Sequence, residues 1–315
     1  MITKARLAVR QALHGINPGD HVIVAVSGGA DSLLLAHCLV LEGKHHALRI
    51  TAVIINHQLQ ENSPEIANST KAKLLAMGIS DVDVVPVDVI KKDGLEADAR
   101  SARYAALDSC AQTLGAHAIF LGHNQDDLAE SVLLGLTQGS GTKSLAGMAT
   151  QSGIYIRPFL SISREEVVNA CLEVGIEYWD DPHNEDERFT RVKIRKQILP
   201  LMESLIGPGI KEALARSARI FREDSEALEI LTEEIFATIP DPAFIEVALL
   251  EKLPTALRKR VIRRAISRLG ANRISAEQLD WVDALISDWR GQGPVALPAG
   301  VTARRESGRL ALSRE

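Results

Sequence analysis

At 315 residues the chain is about twice as long as a typical domain, so two domains are expected. A hydrophobic share of 46% with 24% charged residues excludes a disordered chain, a collagen-like repeat and a disulfide-stapled mini-fold. Three Trp, three Tyr and six Phe leave the core to Ala, Val, Ile and Leu, and 36 basic against 41 acidic residues (net −5) do not announce a nucleic-acid binder, although a local basic surface stays open. Cys38, Cys110 and Cys171 are odd in number and form no C-x-x-C pair, which speaks against a zinc ribbon, a redox pair or a cysteine-bound cluster. They read as reduced thiols. No segment approaches the roughly 18–20 apolar residues of a membrane span, and the N-terminus lacks an apolar run and a cleavage site. A soluble, cytoplasmic protein without membrane partners is expected.

Along the first half, the apolar runs HVIVAV (21–26), RITAVII (49–55), VDVVPVDV (82–89) and AIFLG (118–122) have strand length. Between them, 32–42, 64–77 and 95–114 are long enough for helices. Apolar strands alternating with helices predict an α/β fold with a parallel sheet covered on both faces. Ligands in such folds bind beyond the carboxyl ends of the strands. The second half reads differently. Leu214, Phe221, Leu228 and Ile235 recur every seventh residue, the mark of a long amphipathic helix. TALRKRVIRRAISRLG and SAEQLDWVDALIS predict two more helices, and the Pro- and Gly-punctuated tail a small hairpin or sheet. The two prolines and two glycines of LPLMESLIGPG place the boundary near 200–209, giving domains 1–203 and 204–315.

The first strand runs into Ser27-Gly28-Gly29-Ala30-Asp31-Ser32 and then a helix. Glycines let backbone N–H groups approach phosphate oxygens, and the helix start adds positive potential. Asp31 can hold Mg²⁺ against the phosphates. The plainer account is an ordinary strand-to-helix turn with Asp31 or Ser32 as N-cap. The kinase-type pattern G-x-x-x-x-G-K-[ST] is absent, because Thr142 separates Gly141 from Lys143. No G-x-G-x-x-G follows the first strand either.

Three further clusters carry chemistry. The fourth strand leads into Gly122-His123-Asn124-Gln125-Asp126-Asp127-Leu128-Ala129-Glu130, with Asp127 and Glu130 three apart at a helix start. That pair can bind a metal or an ammonium group, or simply complement the helix dipole. Arg100 and Arg103 share one helical face and suit phosphate or RNA, although Glu96 can pair with Arg100 on a solvated surface. Asp181-Pro182-His183-Asn184 reads as a turn capping a helix with Arg188, Arg191 and Arg195 in one basic stripe. A solvated basic helix is the alternative there.

The loop resembles the S-G-G-x-D-S pyrophosphate loop (PP-loop) of the N-type ATP pyrophosphatases. Beyond it, Asn56-His57-x-Leu59, E-A-x-A-R-x-x-R-Y from Glu96, G-H-x-x-D-D-x-x-E from Gly122, Q-G-S-G, Gly147-Met148, Arg157-Pro158 and D-P-x-N-x-x-x-R-F-x-R follow one another over residues 22 to about 200. This order closely resembles the bacterial tRNA(Ile)-lysidine synthetases. Gln60 stands where that family commonly has arginine, and Val192 where asparagine is common. The resemblance implies a PP-loop ATPase domain, adenine nucleotide alpha hydrolase-like, followed by a mainly helical tRNA-binding domain.

It also implies an activity: ligation of L-lysine, at the expense of ATP, to C2 of the wobble cytidine of a CAU-anticodon isoleucine tRNA. The product decodes AUA instead of AUG and changes the amino acid from methionine to isoleucine. Under that resemblance Ser27, Gly28, Gly29, Ala30, Asp31, Ser32, Asn56, His57, Gly122 and His123 would bind ATP, with Asp31 on Mg²⁺. Asp127 and Glu130 would receive the lysine ammonium, and Arg195 with Arg103 or Arg100 would stabilise charge on phosphate and the activated base. Arg100, Arg188 and Arg191 would meet the tRNA. So would Lys259, Arg260, Arg263 and Arg264, on a stretch with seven bases and no acid between 258 and 273. A homodimer is a further implication. A tRNA sulfurtransferase, a non-catalytic nucleotide- or RNA-binding protein and an amidating synthetase are the competing readings.

Overall fold

The structure is a computed structural model describing residues 1–56, 63–87, 95–139, 141–181 and 185–314, with the side chains of 95–97 left aside. The chain divides into two compact units, Met1–Arg222 and Glu223–Glu315.

The first unit is built on strands β1 (His21–Val26), β2 (Arg49–Asn56), β3 (Asp81–Pro86) and β4 (Ala118–Leu121), with the short β5 (Gln151–Ser152) and β6 (Tyr155–Ile156). Their order is β3-β2-β1-β4-β6-β5, parallel except where β5 meets β6. The helices are α1 (Ile2–Ala12), α2 (Ala30–Gly43), α3 (Ser63–Ala76), α4 (Leu95–Leu114), α5 (Gln125–Thr137), α6 (Thr142–Leu145) and α7 (Arg164–Glu173). All six residues of β1 are buried, because it is central and both faces are covered. Its side chains alternate: Val22, Val24 and Val26 join α2 in one core, while Ile23 and Ala25 join Leu107 and Ala111 of α4 in another. β3 stops at Pro86, shorter than the run 82–89 suggests; a residue without an N–H is tolerated there because β3 is the sheet edge. Strand order reverses at β1, with β2 on one side and β4 on the other, which opens a crevice at their carboxyl ends.

After α7 the chain forms α8 (Thr190–Lys193), a π-helical turn over Ile194–Ile198, and α9 (Leu199–Leu205). The N-cap of α8 is Phe189, and Pro182, His183 and Asn184 of the expected capping turn lie outside the described residues. Arg188 lies ahead of it in a turn, and the π-turn shifts the helical phase, so Arg188, Arg191 and Arg195 form no single stripe.

α10 (Ile210–Ala237) is continuous across the division between Arg222 and Glu223. The expected boundary at 203/204 falls inside α9; Gly207 and Gly209 just beyond it interrupt the helical path without separating the cores. Leu214 and Ala218 of α10 still pack with Leu128, Val132 and Leu160 of the first unit.

The second unit adds β7 (Phe244–Glu246), α11 (Val247–Glu251), α12 (Thr255–Arg268), α13 (Ala276–Ser287), β8 (Val295–Ala296), β9 (Val301–Glu306) and β10 (Arg309–Arg314). The strands form an antiparallel sheet ordered β7-β10-β9-β8, with Ser307 and Gly308 at positive φ in the β9–β10 turn. Helices and sheet share one core that includes Val261, Ile266, Val282 and Leu310.

Candidate functional site

The crevice at the end of β1 is shaped first by backbone. Gly28 has φ +88°, and a Cβ there would meet Thr70 Oγ1 of α3 at 2.6 Å, so only glycine fits. Gly29 is the extended N-cap of α2. The Ser32 hydroxyl accepts from Ser27 N at 3.1 Å and donates to Gly29 O at 3.0 Å, folding the loop back on itself. Gly122, at the end of β4, is equally constrained. A Cβ there would lie 2.9 Å from the Asp31 carbonyl carbon and 3.0 Å from Ser32 N. The two strand ends adjacent at the switch point therefore press their loops together.

That contact brings Asn124 to Asp31, with Nδ2 donating to Oδ1 at 2.7 Å. Asn124 also caps α5 reciprocally with Asp127: Asp127 N donates to Asn124 Oδ1 at 3.0 Å, and Asn124 N donates to Asp127 Oδ2 at 2.9 Å. One oxygen of Asp127 thus serves the helix start. Burial, with the Asp127 charge beside it, pushes the Asp31 carboxyl up to about 6, against the pull of Asn124, Arg164 and Arg195.

Glu130, one turn further along α5, is fully buried. Arg195 of the π-turn grips it with Nε at 2.6 Å from Oε1 and Nη2 at 3.2 Å from Oε2, and approaches Asp127 Oδ1 at 3.4 Å. Burial raises the Glu130 carboxyl while this fork pulls it back.

These groups surround a cavity of about 450 Å³. Ser27, Gly29, Ala30, Asp31 and Ser32 line it from the loop, Asn56 from β2, and Gly122, His123 and Asp127 from the β4–α5 side. Arg100, Arg103, Arg191 and Arg195 line it too. Burial lowers the Arg103 guanidinium. Burial and the charges of Arg103, Arg157, Arg100 and Arg191 hold His123 well below the usual imidazole range, so its ring is neutral, and its Nδ1 is enclosed without a partner.

Not every expected residue reaches this cavity. Gly28 and Glu130 stand behind its wall, and Arg188 is exposed and bound to Asp186 at 2.7 Å. His57, with Gln60, Pro182, His183 and Asn184, lies outside the described residues. Sequence reasoning missed Arg164 and Trp179, both on the cavity wall. For Arg164 a signal existed: Ser163 and Glu166 form a capping box that fixes Arg164 as the first residue of α7.

α12 departs further from expectation. Its buried stripe is Arg258, Val261, Ile262, Ala265 and Ile266. Arg258 is buried in a two-pronged pair with Asp283 of α13. Lys259 pairs with Asp280, Arg260 with Glu229 at 3.5 Å and Arg264 with Glu233, while Arg263 donates to the Ile274 carbonyl at 3.1 Å. The acids missing from 258–273 come from neighbouring helices, so the basic run is largely neutralised where it packs.

Family models match two stretches: a PP-loop domain over residues 3–202 and a TilS substrate binding domain over 246–311. The tRNA(Ile)-lysidine synthase of Thermobifida fusca is 42% identical over 99% of this chain and 97% of its own length. That of Streptomyces coelicolor is 43% identical over 95% and 86%. Among solved structures, a U34-tRNA thiolase from Methanococcus maripaludis superposes with a TM-score of 0.59 at 20% identity, covering 70% of this chain and 78% of that one, a likeness of fold. The loop geometry at the switch point, the two matched domains and the near-full-length relatives assign the chain to the tRNA(Ile)-lysidine synthase family of PP-loop proteins.

Proposed function

We propose that the chain joins L-lysine to C2 of the wobble cytidine of a CAU-anticodon isoleucine tRNA in two ATP-driven steps. One observation carries this reading: the phosphate-type loop borders the same cavity as Asp127 and the Arg195 that Glu130 holds, with four further arginines on its wall. In the first step the cytidine C2 oxygen attacks the α-phosphate of ATP and pyrophosphate leaves. In the second the lysine ε-amine attacks C2, and AMP departs with that oxygen. Adenylation is needed because a carbonyl-type oxygen is a poor leaving group.

The loop Ser27–Ser32 and the start of α2 hold the pyrophosphate end, while Asn56, His57, Gly122 and His123 belong to the rest of the ATP site. Mg²⁺ fits beside Asp31. Asp31 is a half-buried carboxylate whose raised pKa marks a charge in want of a cation, and its oxygen is a hard ligand. When bound, the ion would offset phosphate charge. Asp127 faces the cavity and receives the lysine ammonium; a protonated amine has no lone pair, so a nearby base must take its proton. Glu130, both oxygens engaged, holds Arg195 toward the reacting groups. Arg100 and Arg103, also on the cavity wall, offset phosphate charge.

RNA contact falls to Arg100, Arg188 and Arg191 in the first unit and to Lys259, Arg260, Arg263 and Arg264 in the second. A homodimer, read out as twice the chain mass by light scattering, belongs to the same proposal. A thiolation reading finds little support in the cysteines. Cys38 and Cys171 are buried, with thiols pushed up to about 12 by burial, and none of the three lines the cavity.

The test is incubation with ATP, Mg²⁺, radiolabelled lysine and CAU isoleucine tRNA transcript, with elongator methionine tRNA as control. Acid-stable label on the isoleucine tRNA alone is expected. ATP cleavage to AMP without label would overturn lysine as the nucleophile.

A further inference from the structure

Trp179 is placed in a way that packing does not explain. It follows α7 on the strap Ile176–Asp181, is half-buried, and lines the cavity. Its neighbour Tyr178 packs against the main core, whereas Trp179 belongs to none of the apolar clusters. A large aromatic residue on the wall of a cavity, outside every apolar cluster, is an unusual use of apolar surface.

The strap is tied to the phosphate-type loop through its backbone. Trp179 N donates to Gly28 O at 3.0 Å, and the Trp179 carbonyl stands 3.9 Å from where a Cβ on Gly29 would lie. Lys73 Nζ donates to Glu177 O at 2.9 Å and anchors the strap upstream. The ring is thus attached to the backbone that faces the phosphates. Among the described residues lining the cavity the other aromatic rings are His123 and Tyr178. His123 has one nitrogen enclosed and Tyr178 packs against the core, which leaves Trp179 as the aromatic residue of the wall that no core uses.

We propose that Trp179 is the platform on which the wobble cytosine stacks when it is taken out of the anticodon loop. The inference rests on the proposed function, because it assigns a site to that reaction's RNA base. Two considerations select this base over the adenine of ATP. The cavity wall also carries Ile54, Ile55, Ile66 and Ala67, apolar side chains that suit adenine without Trp179. The reacting C2 oxygen must meet the α-phosphate, and a ring tethered to Gly28 sits beside the loop that holds phosphates. Single-stranded bases are commonly held by stacking on aromatic side chains.

The experiment uses the full chain with Trp281→Phe and Trp289→Phe, which replaces the two exposed tryptophans of the second unit and leaves Trp179 as the reporter. Its fluorescence should be quenched by a CAU anticodon stem-loop and much less by the same stem-loop abasic at the wobble position. A non-hydrolysable ATP analogue should leave it nearly unchanged. In the wild-type background, Trp179→Ala should lower kcat/KM for tRNA on the order of 10- to 100-fold while the analogue's affinity stays the same, and Trp179→Phe should keep most of the activity. Quenching by the analogue together with its weakened binding to Trp179→Ala would overturn the proposal in favour of adenine. Equal quenching by the intact and abasic loops, or wild-type kinetics in Trp179→Ala, would overturn it outright. Should the wild-type chain itself attach no lysine, the proposed function fails, and the comparison of intact with abasic loop still reads the stacking.

Discussion

Arg195 and Glu130 form the tightest charged contact at the site, and the pair separates stability from chemistry. Glu130 is fully buried, whereas Arg195 keeps 25% of its side-chain surface in solvent. Glu130→Gln removes the charge that compensates Arg195. Breaking a buried pair by losing one partner costs about 3–5 kcal/mol, and partial exposure of Arg195 puts this case toward the lower end. The double change Glu130→Leu with Arg195→Met leaves no buried charge and should recover most of that loss. Lysine incorporation should stay down by about 10²–10³ in kcat in both variants, because neither aims a guanidinium at the reacting groups. Thermal melts and single-turnover assays check the two halves separately. A double variant no more stable than Glu130→Gln would show that the pair is not what holds this corner. The sequence made Asp127 and Glu130 equivalent, since spacing along a helix cannot tell which carboxylate meets the cavity; the capping box at Asn124 and the π-turn at Arg195 decide it.

Among the elements, α1 carries no expected chemistry, yet it is held to α2 by charge. Arg6 Nε and Arg10 Nε donate to the two oxygens of Glu42 at 2.7 and 2.8 Å, and Glu42 is 2% exposed. The Arg10 hydrogen bond, outweighing burial and joined by Arg6, holds the Glu42 carboxyl below its ordinary value. A folded-state pKa below the unfolded one gives stability that is present above the unfolded value of about 4.3 and lost as pH falls through the folded value. Wild type should therefore melt a few degrees above Glu42→Gln at pH 7. The gap should close as the pH is taken below about 4. A gap that persists undiminished at pH 3 would mean that shape, not charge, makes this contact. The strands β1 to β4 and the helices α2 to α4 were legible because apolar runs and helical periods do not depend on distant residues. α11 and β7 were not: five and three residues carry too little periodicity to read. α12 was legible as a helix, but the pairing of its bases was not, because its acidic partners Glu229, Glu233, Asp280 and Asp283 are 20 or more residues away in sequence.

Across the whole molecule, a chain of net charge −5 must bind a polyanion through local charge, and the ion pairs on α12 dictate which bases can contribute. Each phosphate neutralised by a side chain adds about −0.9 to the slope of log K against log salt on duplex nucleic acid. A base already paired with a carboxylate exchanges one partner for another and adds less. Arg263 is exposed and bonded only to a neutral carbonyl, whereas Arg260 faces Glu229 and Arg264 faces Glu233. Arg263→Ala should therefore weaken tRNA binding uniformly across sequences and flatten the salt slope by about 1. Arg260→Ala should change the slope less, and Glu229→Gln should steepen it by removing a carboxylate that competes with phosphate for Arg260. Filter binding of unmodified isoleucine tRNA from low to moderate salt reads all three. If Arg263→Ala leaves affinity and slope at wild-type values, α12 is not an RNA surface, and its charges serve only to knit the second unit together.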